Sequence, residues 1–174
     1  MSLLAEEVVE EWLNRQGYFT IRGIRLGNDE IDILAINSKH GRLERRHIEV
    51  QVAINPTAYI SKVTKAIQKK YGIRPNSAKK RTENELKQCV KEWIDKKFNQ
   101  FKKAQLKQSL CPGEWSMELV VYRVKHDEEL DFFRRAEIKI HHLTEIIAEM
   151  RSKETPVEAA TGNDLVNMMC LEKK

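Results

Sequence analysis

The sequence predicts an α/β domain built on a central mixed β-sheet flanked by helices, and three observations predict it. Apolar residues at three- and four-residue spacing run through Leu4, Ala5, Val8, Val9, Trp12 and Leu13, the mark of an amphipathic helix. Three β-type runs follow directly, at 18–24, 30–36 and 46–54, separated by polar turns. Further on, Leu119-Val120-Val121-Tyr122 is nearly continuous in apolar character, as expected of a strand buried on both faces. Helix, three strands, helices, strand, strand, helix is an α/β layer order.

Taken in order, the first helix spans 2–16 and stops at Gly17. The strand at 18–24 is weakened by Gly23, and residues 25–29 turn at Gly27-Asn28. The strand at 30–36 ends in a polar turn, Asn37 to Gly41. In the third strand, Ile48, Val50, Val52 and Ile54 face one way, and His47, Glu49, Gln51 and Ala53 the other. Asn55-Pro56 ends it, since proline cannot donate to a ladder. A helix is expected over 59–71, then a loop at 72–81 holding Pro75, Asn76 and Ser77. A long helix from about 82 to 108 carries the stripe Leu86, Val90, Trp93, Ile94, Phe101 and Ala104, with Lys97 falling inside it. Cys111-Pro112-Gly113 breaks the chain before strands at 117–124 and 137–141 and a helix at 143–151. Residues 1–151 thus form one domain, with a basic helical insertion at about 59–108. The last stretch, 152–174, mixes Thr155-Pro156 and Thr161-Gly162-Asn163 with an apolar cluster, Leu165 to Leu171, and reads as either a loose tail or a docking arm.

A chain of 174 residues suits one domain with a single core. With 41% hydrophobic and 33% charged residues it reads as soluble and globular. Cys89, Cys111 and Cys170 are odd in number and far apart, so neither a metal-type pair nor a disulfide framework is expected. No stretch approaches the roughly 18 apolar residues of a membrane span. The N-terminus turns acidic at Glu6 and Glu7, unlike a signal peptide. A cytoplasmic protein is expected.

The stretch most suggestive of chemistry is Gly27-Asn28-Asp29-Glu30-Ile31-Asp32, read with His47-Ile48-Glu49-Val50-Gln51. Asp32 shares a strand face with Glu30, Leu34 and Ile36, and Glu49 shares a face with Gln51. If the two strands pair, the acids converge. Paired carboxylates hold the hard cations that lower the pKa of a water and stabilise charge in phosphodiester hydrolysis. Alternating acids and aliphatics are also what any half-solvated strand shows, so either motif alone says little.

In their order and spacing these residues resemble the core of the PD-(D/E)XK nucleases, the restriction-endonuclease-like superfamily. The pattern is nearest that of archaeal Holliday-junction resolvases and related small endonuclease-like proteins. The resemblance covers 4–52: Glu6 seven residues before Leu13, then Gly17 and Tyr18, the Gly27–Asp32 strand, and Glu49-Val50-Gln51 in place of Glu-x-Lys. It implies a restriction-endonuclease-like fold that cleaves DNA with Mg2+ or Mn2+. Asp32, Glu49 and the backbone carbonyl of Val50 would be metal ligands, and Glu6 would assist from the first helix. Glu6 borders the apolar face of that helix, and Glu11, at its opposite edge, is the local competitor. Gln51 stands where the family has lysine. A neutral amide can hydrogen-bond a water but cannot carry charge to a transition state, although some active members of the superfamily carry Gln here. Members often pair to cut two strands, so a homodimer is expected on resemblance alone. The alternative is a catalytically inactive relative that binds nucleic acid or a protein partner.

The net charge of +5 and pI of about 9.1 are by themselves a weak hint of a polyanionic partner. The distribution says more. From Lys62 to Lys107 there are fifteen Lys and Arg against Glu83, Glu85, Glu92 and Asp95, which leaves the rest of the chain net acidic. Lys62, Lys65, Lys69, Lys79, Lys80 and Arg81 are the expected DNA-backbone contacts, with Lys79-Lys80-Arg81 weighted most because no helical face requires it. A solvated helix face is the plain alternative for the other lysines. No interleaved aromatics mark a single-strand stacking platform, so backbone contact to duplex or branched DNA is expected. His141-His142 lacks a third ligand at metal spacing and reads as a strand end.

Overall fold

The structure is a computed structural model and describes residues 2–39, 41–152, 155–157, 160 and 164–170. Helix α1 (Ser2–Arg15) is followed by β1 (Phe19–Leu26), β2 (Asp29–Lys39) and β3 (Arg42–Gln51). Then come α2 (Lys65–Tyr71), α3 (Glu83–Lys97) and α4 (Phe101–Leu110). The chain continues through β4 (Ser116–Val121), α5 (Glu128–Arg135), β5 (Lys139–His142), α6 (Leu143–Arg151) and α7 (Asp164–Cys170). The strands form one mixed sheet in the order β1-β2-β3-β4-β5. The first three are antiparallel, and β4 and β5 are added parallel. The expected α/β architecture with a central mixed sheet is therefore the one observed. Among the described residues no helix is long and apolar enough to cross a membrane.

Each face of the sheet has its own core. On one, Ile33, Ala35, Ile48, Val50 and Val120 pack against Val8, Val9, Trp12 and Leu13 of α1 and Ile146 and Met150 of α6. On the other, Leu119 and Val121 pack against Leu86, Val90, Trp93, Ile94 and Phe98 of the α3 region and Leu130 and Phe133 of α5. Strand β3 is covered on both sides, so His47 and Glu49 are buried rather than solvated. Gly17 turns α1 into β1 with φ 85°, a left-handed backbone that favours glycine.

Several elements differ from the sequence expectation. Strand β1 runs through Gly23 to Leu26, and β3 starts at Arg42 and ends at Gln51. Helix α2 starts only at Lys65, because Thr64 caps it by accepting from Ile67 N and the preceding segment is held elsewhere. That segment is fixed by Glu129 of α5, whose carboxylate accepts from the backbone N of Ile60 (2.6 Å) and Ser61 (2.8 Å) and from the Ser61 hydroxyl. Helix α5 falls between the expected strands at 117–124 and 137–141, in a stretch left without a helix. Its acids lie in the first turn and Arg134 and Arg135 in the last, as the helix dipole favours.

The helix expected over 82–108 is two helices. Thr82 and Glu85 form a capping box at the start of α3 (Glu85 N to Thr82 Oγ1 3.3 Å, Thr82 N to Glu85 Oε2 3.0 Å). The chain then breaks at Phe98–Gln100, where Phe98 turns into the core beside His47 and Trp93. The break resets the helical phase. Phe101 is 78% exposed and Ala104 is also at the surface, while Lys103 and Lys107 face inward. At the C-terminal end, α7 folds back on the chain. Val166 is buried against the α1–α6 core, Arg151 donates to Met169 O, and Arg15 donates to Asn167 Oδ1. Helix α7 thus packs on the chain's own α1 and α6, whereas Thr161-Gly162-Asn163 and Leu171 lie outside the described residues.

Candidate active site

The antiparallel register of β2 and β3 pairs Ile33 with Ile48 and Leu34 with His47, and one further step puts Asp32 across from Glu49. Both acids project from the face covered by α3 and α4. Asp32 is 6% exposed and Glu49 is fully buried. Each carboxylate has one oxygen held by the protein. Asp32 Oδ2 accepts from Val50 N at 2.7 Å, and Glu49 Oε1 meets His47 Nε2 at 3.1 Å and Lys103 Nζ at 3.5 Å. The remaining oxygens, Asp32 Oδ1 and Glu49 Oε2, converge on the ammonium of Lys97, at 3.9 and 2.5 Å.

Lys97 is the last residue of α3, and the burial of that helix's apolar stripe brings its side chain onto the sheet. Lys103, 1% exposed, locks the junction. Its ammonium donates to Glu30 O (2.6 Å) on β2 and to Lys97 O (2.9 Å), satisfying a carbonyl left open at the end of α3. Lys107, one turn along α4, approaches His47 Nδ1 and Phe98 O, each at 3.4 Å. The resulting chain runs from Lys107 through His47 to Glu49.

The charges are those of a desolvated cluster. Burial, and then the neighbouring Glu49, push the Asp32 pKa up to about 7, against the pull of Lys97 and the Val50 N–H. Burial likewise raises Glu49, opposed by Lys97 and Lys103. Burial opposes charge on Lys97, but Glu49 and Asp32 outweigh it and raise its pKa, so it is an ammonium. His47 is driven well down by burial and then by Lys107, Lys103 and Lys97, which makes it neutral. A neutral His47 donates through Nε2 to Glu49 and accepts at Nδ1 from Lys107. Burial lowers both Lys103 and Lys107.

Asp32 Oδ1 and Glu49 Oε2, which here face the Lys97 ammonium, are the side-chain oxygens that could hold a divalent cation. Mg2+ characteristically takes one or two protein carboxylates and keeps several waters. Among the described residues no group of three or more His, Cys, Asp or Glu stands together as a metal cluster, so Asp32 and Glu49 would be the side-chain ligands. The part of Val50 seen to act is its N–H, which orients Asp32.

The remaining sequence candidates are placed as follows. Gln51 and Lys97 line a common cavity of about 440 Å3, and exposed Lys62 and Lys65 stand in the same wall. Glu6 is buried on α1, which packs against the opposite face of the sheet; the groups that meet Asp32 and Glu49 come from β3, α3 and α4. Its neighbour Glu11 has a structural task, accepting from Arg15 Nε (2.7 Å) and Ala160 N (2.9 Å). Lys69, Lys79 and Lys80 are exposed, with Lys79 over the Tyr71 ring. Arg81, expected to be a surface contact, is instead 9% exposed. Its guanidinium covers the Tyr59 ring and donates to Ser61 Oγ at 3.0 Å, so it braces the Tyr59–Thr64 segment. His141 Nε2 donates to Glu118 Oε2 (2.7 Å), within a network that includes Arg46.

Lys97, Lys103 and Lys107 were not identified as site residues by sequence reasoning. Lys97 left one trace, its place inside an apolar stripe. Lys103 and Lys107 left only their four-residue spacing, which puts both on one helix face.

No family model and no curated protein sequence matches the chain. A solved structure titled "Crystal Structure of Protein of Unknown Function AF1548" is similar, with a TM-score of 0.41 and 14% identity. The match covers 81% of this chain and 57% of that one, so this chain spans little more than half of its length. At that TM-score the likeness carries no argument about fold or function.

Proposed function

We propose that the protein is a restriction-endonuclease-like, Mg2+- or Mn2+-dependent DNA endonuclease. The observation that carries this reading is the convergence of Asp32 Oδ1, Glu49 Oε2 and Lys97 Nζ on one face of the β2–β3 pair. Lys97 offers the cationic group that the sequence lacks at Gln51, delivered from α3 rather than from β3. A divalent cation held by Asp32 and Glu49 would lower the pKa of a bound water and offset charge on the phosphate. With those oxygens committed to a cation, Lys97 is free to donate to the attacking water or to a phosphate oxygen, where its fixed charge favours the transition state. Gln51 lines the same cavity, where its amide would hydrogen-bond the water, and His47 and Lys103 hold Glu49 in place. A homodimer belongs to this reading through the family resemblance alone, and sedimentation tests it; a cytoplasmic location rests on the odd, widely spaced cysteines.

A second reading has its own observation. Lys97 and Lys103 already compensate Glu49 and Asp32, so the cluster is charge-balanced without metal. A protein of this kind would bind DNA through its basic surface and not cut it. Plasmid, linear and four-way-junction DNA incubated with Mn2+ decide between them. The nuclease reading expects cleavage that disappears in Glu49→Ala and in Lys97→Met. Salt-sensitive binding by all three proteins with no cleavage by any would sink it.

A further inference from the structure

We propose that the cavity beside Gln51 and Lys97 admits an unpaired stretch of DNA strand, so that the protein acts on single strands, forks or flaps in preference to continuous duplex. The inference deepens the nuclease reading and rests on it for the word substrate, but the binding it describes does not depend on cleavage.

The first ground is depth. Glu49 is fully buried and Asp32 nearly so, while the Lys97 side chain, 23% exposed, is the accessible member of the trio. The phosphates of an intact duplex lie on a broad convex surface, and a recessed pair of carboxylates is out of their reach. A strand that has left its partner can bend a phosphate inward.

The second ground is the shape and lining of the cavity. Its roughly 440 Å3 lies in the range of small-molecule pockets, about 300–1,000 Å3, enough for a nucleotide and far too small for a double helix. One wall is apolar, with Ile60, Val63 and Trp93, and the rim carries Lys62, Lys65 and Lys96 against the single acid Glu92. An apolar wall with exposed cations beside it suits a sugar and base flanked by phosphates. Trp93 is packed edge-on by Phe98 and Phe133, at 5.9 and 5.1 Å between ring centroids, so it offers a wall rather than a stacking platform. That arrangement predicts little dependence on base identity.

The third ground is that the cavity walls are fixed. Val63 N donates to Pro75 O at 2.8 Å and Gln68 Nε2 donates to Val63 O at 2.5 Å, so the loop after α2 is tied across its outer side. The floor is β3 itself, through Gln51.

The test uses the full chain and fluorescence anisotropy, in EDTA, with labelled single-stranded, forked and blunt duplex DNA of equal length and matched sequence. Single strand and fork are expected to bind about tenfold more tightly than blunt duplex. In Lys62→Ala/Lys65→Ala the slope of log affinity against log salt for single strand is expected to fall by about 1.4, from roughly 0.7 per phosphate contact. Both lysines are exposed, and an unchanged thermal midpoint shows that the variant is folded. Equal or tighter binding of blunt duplex overturns the proposal, as does an unchanged salt slope. Cleavage in Mn2+ is read separately on the same substrates. Duplex cut as fast as fork sinks the cavity proposal and leaves the nuclease; preferential single-strand binding with no cleavage sinks the nuclease and leaves the cavity.

Discussion

Replacing Asp32 by asparagine should make the metal-free protein more stable, and increasingly so as pH rises. The Asp32 carboxyl titrates at about 7 in the fold against an ordinary 3.8, raised first by burial and then by Glu49. The folded state therefore keeps a proton that the unfolded chain releases across this window. Stability falls as pH rises from about 4 to about 7, at about 1.4 kcal/mol per pH unit. The accumulated cost is on the order of 4 kcal/mol above pH 7 and a minor part of that near pH 5. Asparagine has the same shape and an oxygen that accepts from Val50 N, but no charge to desolvate, so it removes this cost. Thermal or urea unfolding in EDTA should show Asp32→Asn slightly ahead near pH 5 and ahead by up to about 4 kcal/mol near pH 8.5. For a chain of this size each kcal/mol is about 2–4 °C in midpoint. Added Mg2+ should raise the midpoint of the wild type through linkage and leave that of the variant nearly unchanged. A variant that is no more stable than the wild type near pH 8.5, or a difference that does not widen with pH, would refute a buried Asp32 whose desolvation outweighs the pull of Lys97 and the Val50 N–H.

Lys97→Met should lower metal-dependent cleavage by about a hundredfold or more while DNA affinity changes little, since the lost group acts on developing charge; equal cleavage rates would remove Lys97 from the mechanism. Lys103→Met leaves the Glu30 and Lys97 carbonyls without their donor and weakens compensation of Glu49, so it should cost about 2–4 kcal/mol in urea unfolding; a loss under about 0.5 kcal/mol would show that the clamp is dispensable. Arg81→Ala should destabilise by about 1–3 kcal/mol by freeing Ser61 and Tyr59, and a large drop in the salt dependence of DNA binding without that destabilisation would return Arg81 to the surface role. On the opposite face of the sheet, burial alone would raise Glu118, but hydrogen bonds from His141 and Arg46 hold its pKa down to about 2 from 4.5. Its contribution, about 3 kcal/mol, is complete above about pH 4.5 and is lost as pH falls through about 2, so Glu118→Gln should cost that amount at neutral pH and little in strong acid.

The α/β class, the first helix and the three consecutive strands were legible in the sequence, which made Asp32 and Glu49 converge if their strands pair, as the register shows that they do. These follow from local periodicity: a two-residue alternation in adjacent strands assigns each side chain to a face, and turns such as Gly27-Asn28 fix which strands are neighbours. Helix α6 was legible for the same reason, at Leu143–Arg151. The sequence also showed the gap at Gln51, but not what fills it. The tertiary structure decided that, because the lysine comes from a helix that crosses the sheet some fifty positions later, and its direction depends on where that helix stops. The stop at Phe98 carries no glycine or proline; it exists because Phe98 finds His47 and Trp93 in the core. That one break turned Phe101 outward and Lys103 and Lys107 inward, reversing what a continuous helix would expose. Burial of Arg81 and of α5's Glu129 was hidden likewise, since each is partnered by residues distant in the chain. A charged side chain enters a protein interior only where its counterpart is already waiting, and the position of that counterpart is a property of the fold.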